Sequence, residues 1–230
     1  KAKSKKTFNL SAIVAAALCD HPVLCYTASF PENKDNILYV DTEQSTYQCQ
    51  KVMKRILRLA GLPEDKDCSR LQFLALRKNT PEERLAIIDV AIRNTEHLGL
   101  VIIDGVRDLI HDINSPAESS RVISKLMQWT DEYQLHLHTI LHQNKSDDNA
   151  RGHVGTELNN KAETVMQVEK DKADSSVSVV EAVHIRSMDF EPFAFRINDD
   201  AMPELVAGYT PSATSVGRPK KEPFDPYKEI

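Results

Sequence analysis

The segment Leu98-Gly99-Leu100-Val101-Ile102-Ile103-Asp104 limits the fold more than any other stretch of the chain. A strand points successive side chains to opposite faces, and here both faces are apolar, so both must be covered. A carboxylate closes the run. Ile37-Leu38-Tyr39-Val40 repeats the arrangement and ends at Asp41. Helical spacing fills the intervals. Thr46 to Leu59 sets Val52, Ile56 and Leu59 on one face with Lys and Arg between them, and Gly61-Leu62-Pro63 stops it. Thr80-Pro81-Glu82-Glu83 combines an N-cap, a first-turn proline and a capping box, opening a helix to about Asn94. Ser115-Pro116-Ala117-Glu118 repeats that signal for a helix to about Tyr133. Leu71 to Leu76 and Leu135 to Leu141 read as further strands, and Thr7 to Cys19 as an Ala-rich helix. Strands alternating with helices predict βαβ units and a parallel sheet.

After about Glu163 the rhythm changes. Thr164 to Val168, Val177 to Ile185 and Phe193 to Ile197 read as strands without helices between them, and Lys170 to Ser176 as a hairpin turn. The expected fold class is α/β, a mostly parallel sheet flanked by helices and extended at one edge by antiparallel C-terminal strands. Residues 1–207 form the expected domain. The Pro-, Ser- and Lys-rich stretch 208–230 is expected to be a mobile basic tail.

Composition narrows the function. At 230 residues and 41% hydrophobic, the chain can bury a sizeable core. A net charge of -5 excludes a global basic field, so any nucleic-acid contact needs a local patch or an oligomeric channel. Cys19, Cys25, Cys49 and Cys68 form no C-x-x-C pair, which fits reduced thiols in the cytoplasm. Lys1, Lys3, Lys5 and Lys6 followed by apolar Ile13 to Cys19 have the outline of an export signal. The run is too short to span a membrane and no clean small-residue cleavage site follows, so a folded helix is expected.

Candidate chemistry lies at the strand ends. Lys1-Ala2-Lys3-Ser4-Lys5-Lys6-Thr7 precedes a helix, and Lys6-Thr7 fits the closing pair of a phosphate-binding loop. Lys5 stands where such a loop carries glycine. The loop's first glycine and the strand before it are expected upstream of Lys1. Alone, the segment fits a solvated basic terminus better. In Val40-Asp41-Thr42-Glu43-Gln44-Ser45, Glu43 is placed to orient and deprotonate a water, while Asp41 or Ser45 could simply cap the next helix. Asp104 ends a Walker B-type strand, where a carboxylate meets a magnesium shell.

In that order and spacing, these features resemble RecA-like P-loop ATPases of the RepA and DnaB helicase branch, including AAA-type ATPases of plasmids and mobilisable elements. The resemblance covers roughly Lys1 to Asn198. It implies ATP and Mg²⁺ as ligands, with Ser4, Lys5, Lys6, Thr7 and Phe8 in the nucleotide-binding turn, Thr7 and Asp104 at the metal, and Glu43 as catalytic base. His142-Gln143-Asn144 resembles the segment that senses the γ-phosphate, with His142 or Gln143 as the sensor. Arg186 matches a basic finger reaching a neighbouring subunit's nucleotide, or is an ordinary surface arginine. Arg151-Gly152-His153-Val154-Gly155-Thr156 is similar to a flexible loop facing DNA in a central channel. The implied function is ATP hydrolysis coupled to replication or mobilisation of a plasmid or mobile element. Single-stranded, origin or transfer-region DNA and a homo-oligomer, as large as a hexamer, are the implied partners. The alternative is a non-hydrolysing nucleotide-binding or DNA-binding protein on the same fold.

Several features have plainer readings. His136, His138 and His142 alternate and suggest a metal face, but hydrogen-bonded, partly buried histidines are the simpler expectation. Asp147-Asp148 fits a solvated loop. Gly217-Arg218-Pro219-Lys220-Lys221 has the core of a minor-groove hook but follows Val216 rather than Arg, which favours a plain basic tail. Trp129 fits a core position better than a base-stacking platform.

Overall fold

The computed structural model describes residues 4–142 and 152–209. Lys1, Gln143, Asn144, Asp147-Asp148, Arg151 and the basic segment Gly217 to Lys221 lie outside the described residues, as does the tail from residue 210.

The chain opens with α1 (Lys6–Leu18), then alternates β1 (Asn36–Asp41), α2 (Thr46–Leu59), β2 (Leu71–Ala75), α3 (Pro81–Asn94) and β3 (Leu98–Asp104). A 3-10 turn (Val106–Leu109), α4 (Pro116–Glu132), β4 (His136–Ile140) and α5 (Gly152–Lys161) follow. The last strands are β5 (Thr164–Lys170), β6 (Val177–Ile185), β7 (Phe193–Ile197) and β8 (Pro203–Leu205). The first four strands pair in parallel in the order β2-β1-β3-β4, with Asp41 and Asp104 in register on adjacent strands.

Both faces of this sheet are covered, as its strands demanded. Leu38, Val40, Val101 and Ile103 point to one face and pack with Ile88 and Ile92 of α3 and Val122, Leu126 and Trp129 of α4. Ile37, Tyr39, Leu100 and Ile102 point to the other and pack with Leu10, Val14 and Ala15 of α1 and Val52 and Ile56 of α2. Each large aliphatic chain so buried contributes roughly 1.5–3 kcal/mol. Trp129 is fully buried, and its Nε1 donates to Asp89 Oδ1 at 2.9 Å, which confirms the core reading. The helix starts were local. Thr80 and Glu83 complete a capping box, Ser45 caps α2 and Ser115 caps α4.

The antiparallel strands were expected at one edge of the parallel sheet. They instead form a second four-stranded sheet, β5-β6-β7-β8, with its own small core of Val168, Val180 and Phe195. Strand β8 carries no sequence signal because it is short and begins at Pro203. Helix α1 joins the two cores. Its Phe8 packs with the second sheet's cluster while Leu10 to Leu18 line the first. At its far end Arg70 donates to the carbonyls of Ala17, at 3.0 Å, and Leu18, at 3.4 Å.

Candidate nucleotide site

The site gathers where β1 and β3 end and α1 begins. Thr7 Oγ1 donates to Asp104 Oδ2 at 3.3 Å, across 97 residues of sequence. The buried Tyr39 hydroxyl donates to the same oxygen at 3.1 Å. Both partners favour the ionised Asp104, yet burial and the nearby Asp41 carboxylate push its pKa up to about 6. Burial holds Lys6 below its ordinary value, against the opposing pull of Asp104 and Glu43.

The turn after β1 is built by Asp41. Its Oδ1 accepts from the amides of Glu43, at 3.0 Å, and Gln44, at 2.7 Å, and its Oδ2 accepts from Gln44 Nε2. Of the two plainer candidates, Ser45 is the cap of α2, whereas Asp41 braces the turn before it; neither role engages the Glu43 carboxylate. His142 Nε2, just beyond β4, lies 3.6 Å from Glu43 Oε1. That contact is the main reason the Glu43 pKa is lowered, with Lys6 and Arg107 adding to it.

The start of α1 is unusual. Lys5 adopts the left-handed region, φ 65°, at the N-cap, so the glycine position of the loop keeps its backbone demand without its glycine. The Lys5 side chain makes no capping hydrogen bond, and no acidic residue stands in the first turn of α1. Ser4 is buried. The Phe8 amide donates to the Lys5 carbonyl at 3.0 Å. The Phe8 ring has Arg55 3.7 Å and Lys5 Nζ 5.5 Å from its centroid, so the ring serves packing.

Other residues hold this arrangement together and were not anticipated. Thr42 Oγ1 makes contacts of 2.9–3.1 Å with the Asp104 and Gly105 carbonyls and Asp108 Oδ2. Gly105 has φ 108°, and a Cβ there would run into Thr42 Oγ1. Arg84 is spread over four backbone carbonyls: Leu76 at 3.0 Å, Arg77 at 3.1 Å, Asp108 at 2.6 Å and Thr42 at 3.5 Å. It ties together the segments that follow β2, β1 and β3.

One expectation meets a different structure, and another meets its plainer alternative. Gly152 to Thr156 are not a loop before a helix. They are the first turns of α5, anchored by His153 N donating to the Ile113 carbonyl at 2.9 Å and by fully buried Val154. Arg186 donates to the Asn160 carbonyl at 3.1 Å and pairs with Glu163 at 3.6 Å, within its own chain. Among the described residues no three His, Cys, Asp or Glu side chains converge on a metal-sized site. The His136 and His138 rings are 6.4 Å apart, and burial pushes the His138 pKa down to about 4. The hydroxyl of Thr7 and the carboxylate of Asp104 are hard oxygen donors of the kind Mg²⁺ uses beside substrate phosphates, and the under-compensated Asp104 charge fits a nearby cation.

A parallel sheet covered on both faces, with Lys6, Thr7, Glu43 and Asp104 at its carboxyl edge, defines a nucleotide-binding ATPase of the P-loop type. The family model described as AAA domain matches residues 1–148, and the chain belongs to that family. No curated protein matches the chain. Among the described residues no helix is long and apolar enough to cross a membrane.

Proposed function

We propose that this chain binds ATP with Mg²⁺ and hydrolyses it, in the manner of the RepA and DnaB branch. The observation that carries this is the Thr7–Asp104 hydrogen bond, which brings the start of α1 against the end of β3, with Glu43 in the turn just past the adjacent strand β1. Thr7 and Asp104 would hold Mg²⁺, directly or through water, and the ion would neutralise charge on the β- and γ-phosphates. Lys6 and the first turn of α1, which holds no acidic residue, bind the phosphate chain. Glu43 takes a proton from the attacking water as the water oxygen bonds to the γ-phosphorus. The bond to the bridging oxygen breaks, and ADP leaves with the electron pair. His142 steers Glu43 before the γ-phosphate arrives and contacts that phosphate afterwards, with Gln143 as the other sensor. In a homo-oligomer, Arg186 would have to exchange Glu163 for a neighbour's nucleotide. The energy is used on DNA, in replication or mobilisation of a plasmid or mobile element.

The test is ATP turnover with and without single-stranded DNA, in the wild type and in Glu43→Gln. Loss of turnover with retained ATP binding in the variant supports the reading. Equal rates reject hydrolysis here and leave the nucleotide-binding, non-hydrolysing alternative, which left-handed Lys5 in place of glycine favours.

A further inference from the structure

Helix α2 contains Lys51, Lys54, Arg55 and Arg58 and no acidic residue. Tyr47, Lys51, Lys54 and Arg58 follow at spacings of four, three and four, which stacks them in one stripe of an α-helix. Each is exposed, and Tyr47 keeps 62% of its surface in solvent. Cys49, Val52 and Ile56 are buried on the opposite side, so the stripe faces outward. Lys51 Nζ sits 4.6 Å from the Tyr47 ring centroid. Arg58 approaches Asp200 at 3.8 Å, an exposed pair of little energetic weight. Arg55 lies off the stripe, held by Phe8 and by Ser11. In a chain of net charge -5, this is a local reversal of the field.

We propose that this stripe binds a single strand of nucleic acid, with phosphates on Lys51, Lys54 and Arg58 and a base stacked on Tyr47. The proposal rests on the DNA part of the function above and gives it a location, beginning four residues beyond Glu43. From Tyr47 to Arg58 the helix rises about 16 Å, the span of roughly five phosphates at the spacing of a duplex strand. Aromatic faces set among cations are the recurring means of holding single strands without reading sequence. An anionic membrane would call for Trp, Phe or Leu beside the cations, and the stripe has none.

The experiment is fluorescence anisotropy of a labelled oligothymidylate over a series of salt concentrations, using the full chain. Replacing Lys51, Lys54 and Arg58 together by Gln should flatten the slope of log affinity against log salt by about 2, because each phosphate contact contributes about 0.7. Tyr47→Ala should weaken binding about tenfold and leave the slope unchanged. Binding of a fluorescent ATP analogue should persist in the variants, which shows that they fold. An unchanged slope in the triple variant, with strong wild-type binding, overturns the stripe and leaves the DNA reading standing. No wild-type binding overturns both, while analogue binding still supports the nucleotide site. Tyr47→Ala that loses the analogue and keeps the oligonucleotide overturns the stacking role. Tight binding to phosphatidylserine vesicles, with none to the oligonucleotide, overturns the choice of nucleic acid.

Discussion

Replacing Arg84 by Ala removes a single side chain that bonds to carbonyls following three neighbouring strands. Its contacts at 2.6, 3.0 and 3.1 Å are well formed, and the fourth, to Thr42 at 3.5 Å, is at the limit of a hydrogen bond. Arg84 is half-buried, so water replaces part of what is lost. At about 1 kcal/mol for each good bond, the net loss is roughly 3 kcal/mol. With a urea m-value of about 3 kcal/mol/M, the midpoint should fall by about 1 M. Arg84→Lys should recover little, because an ammonium on a flexible stem cannot span four carbonyls. Since Thr42 adjoins Glu43, turnover should drop more than ATP affinity in both variants. A midpoint within about 0.3 M of wild type would refute the clamp.

Gly105→Ala should destabilise by about 2–4 kcal/mol, because its φ of 108° and the Thr42 hydroxyl both reject a Cβ; thermal unfolding measures this. Lys5→Gly should change stability by less than about 1 kcal/mol, as relief at φ 65° is offset by added freedom in the unfolded chain, whereas Lys5→Val should cost about 1–2 kcal/mol by denaturant titration. His138 is neutral when folded, with its pKa lowered from 6.5 to about 4, so it contributes stability above pH 6.5 that fades as the pH falls toward 4. The stability of wild type minus that of His138→Gln should therefore shrink over this window, by at most about 3 kcal/mol. A difference that stays constant with pH would remove His138 from the account.

What the sequence disclosed was local or periodic. The apolar runs ending at Asp41 and Asp104 gave the parallel strands, and Thr80 with Glu83 gave a helix start to the residue, because each signal lies within a few positions. The position of Glu43, two residues past β1, was legible for the same reason. The rest depends on contacts distant in sequence. Nothing near Arg84 announces carbonyls from 42 to 108, and nothing near Tyr39 announces Asp104. The autonomy of the second sheet was hidden because alternation marks a strand and not its neighbour. Lys5 was legible as the glycine position of a phosphate-binding loop, but its side chain gave no sign that the backbone there stays left-handed.

Helix α1 is 13 residues long, about 20 Å, and Arg70 pins its far end. Its near end carries Thr7 against Asp104 and, one residue on, Phe8 packed against the core of the antiparallel sheet. A rod fixed at one end moves most at the other. The turn that faces the phosphates and the sheet that carries Arg186 are therefore two sides of one joint, and a force that displaces Thr7 displaces Phe8 with it.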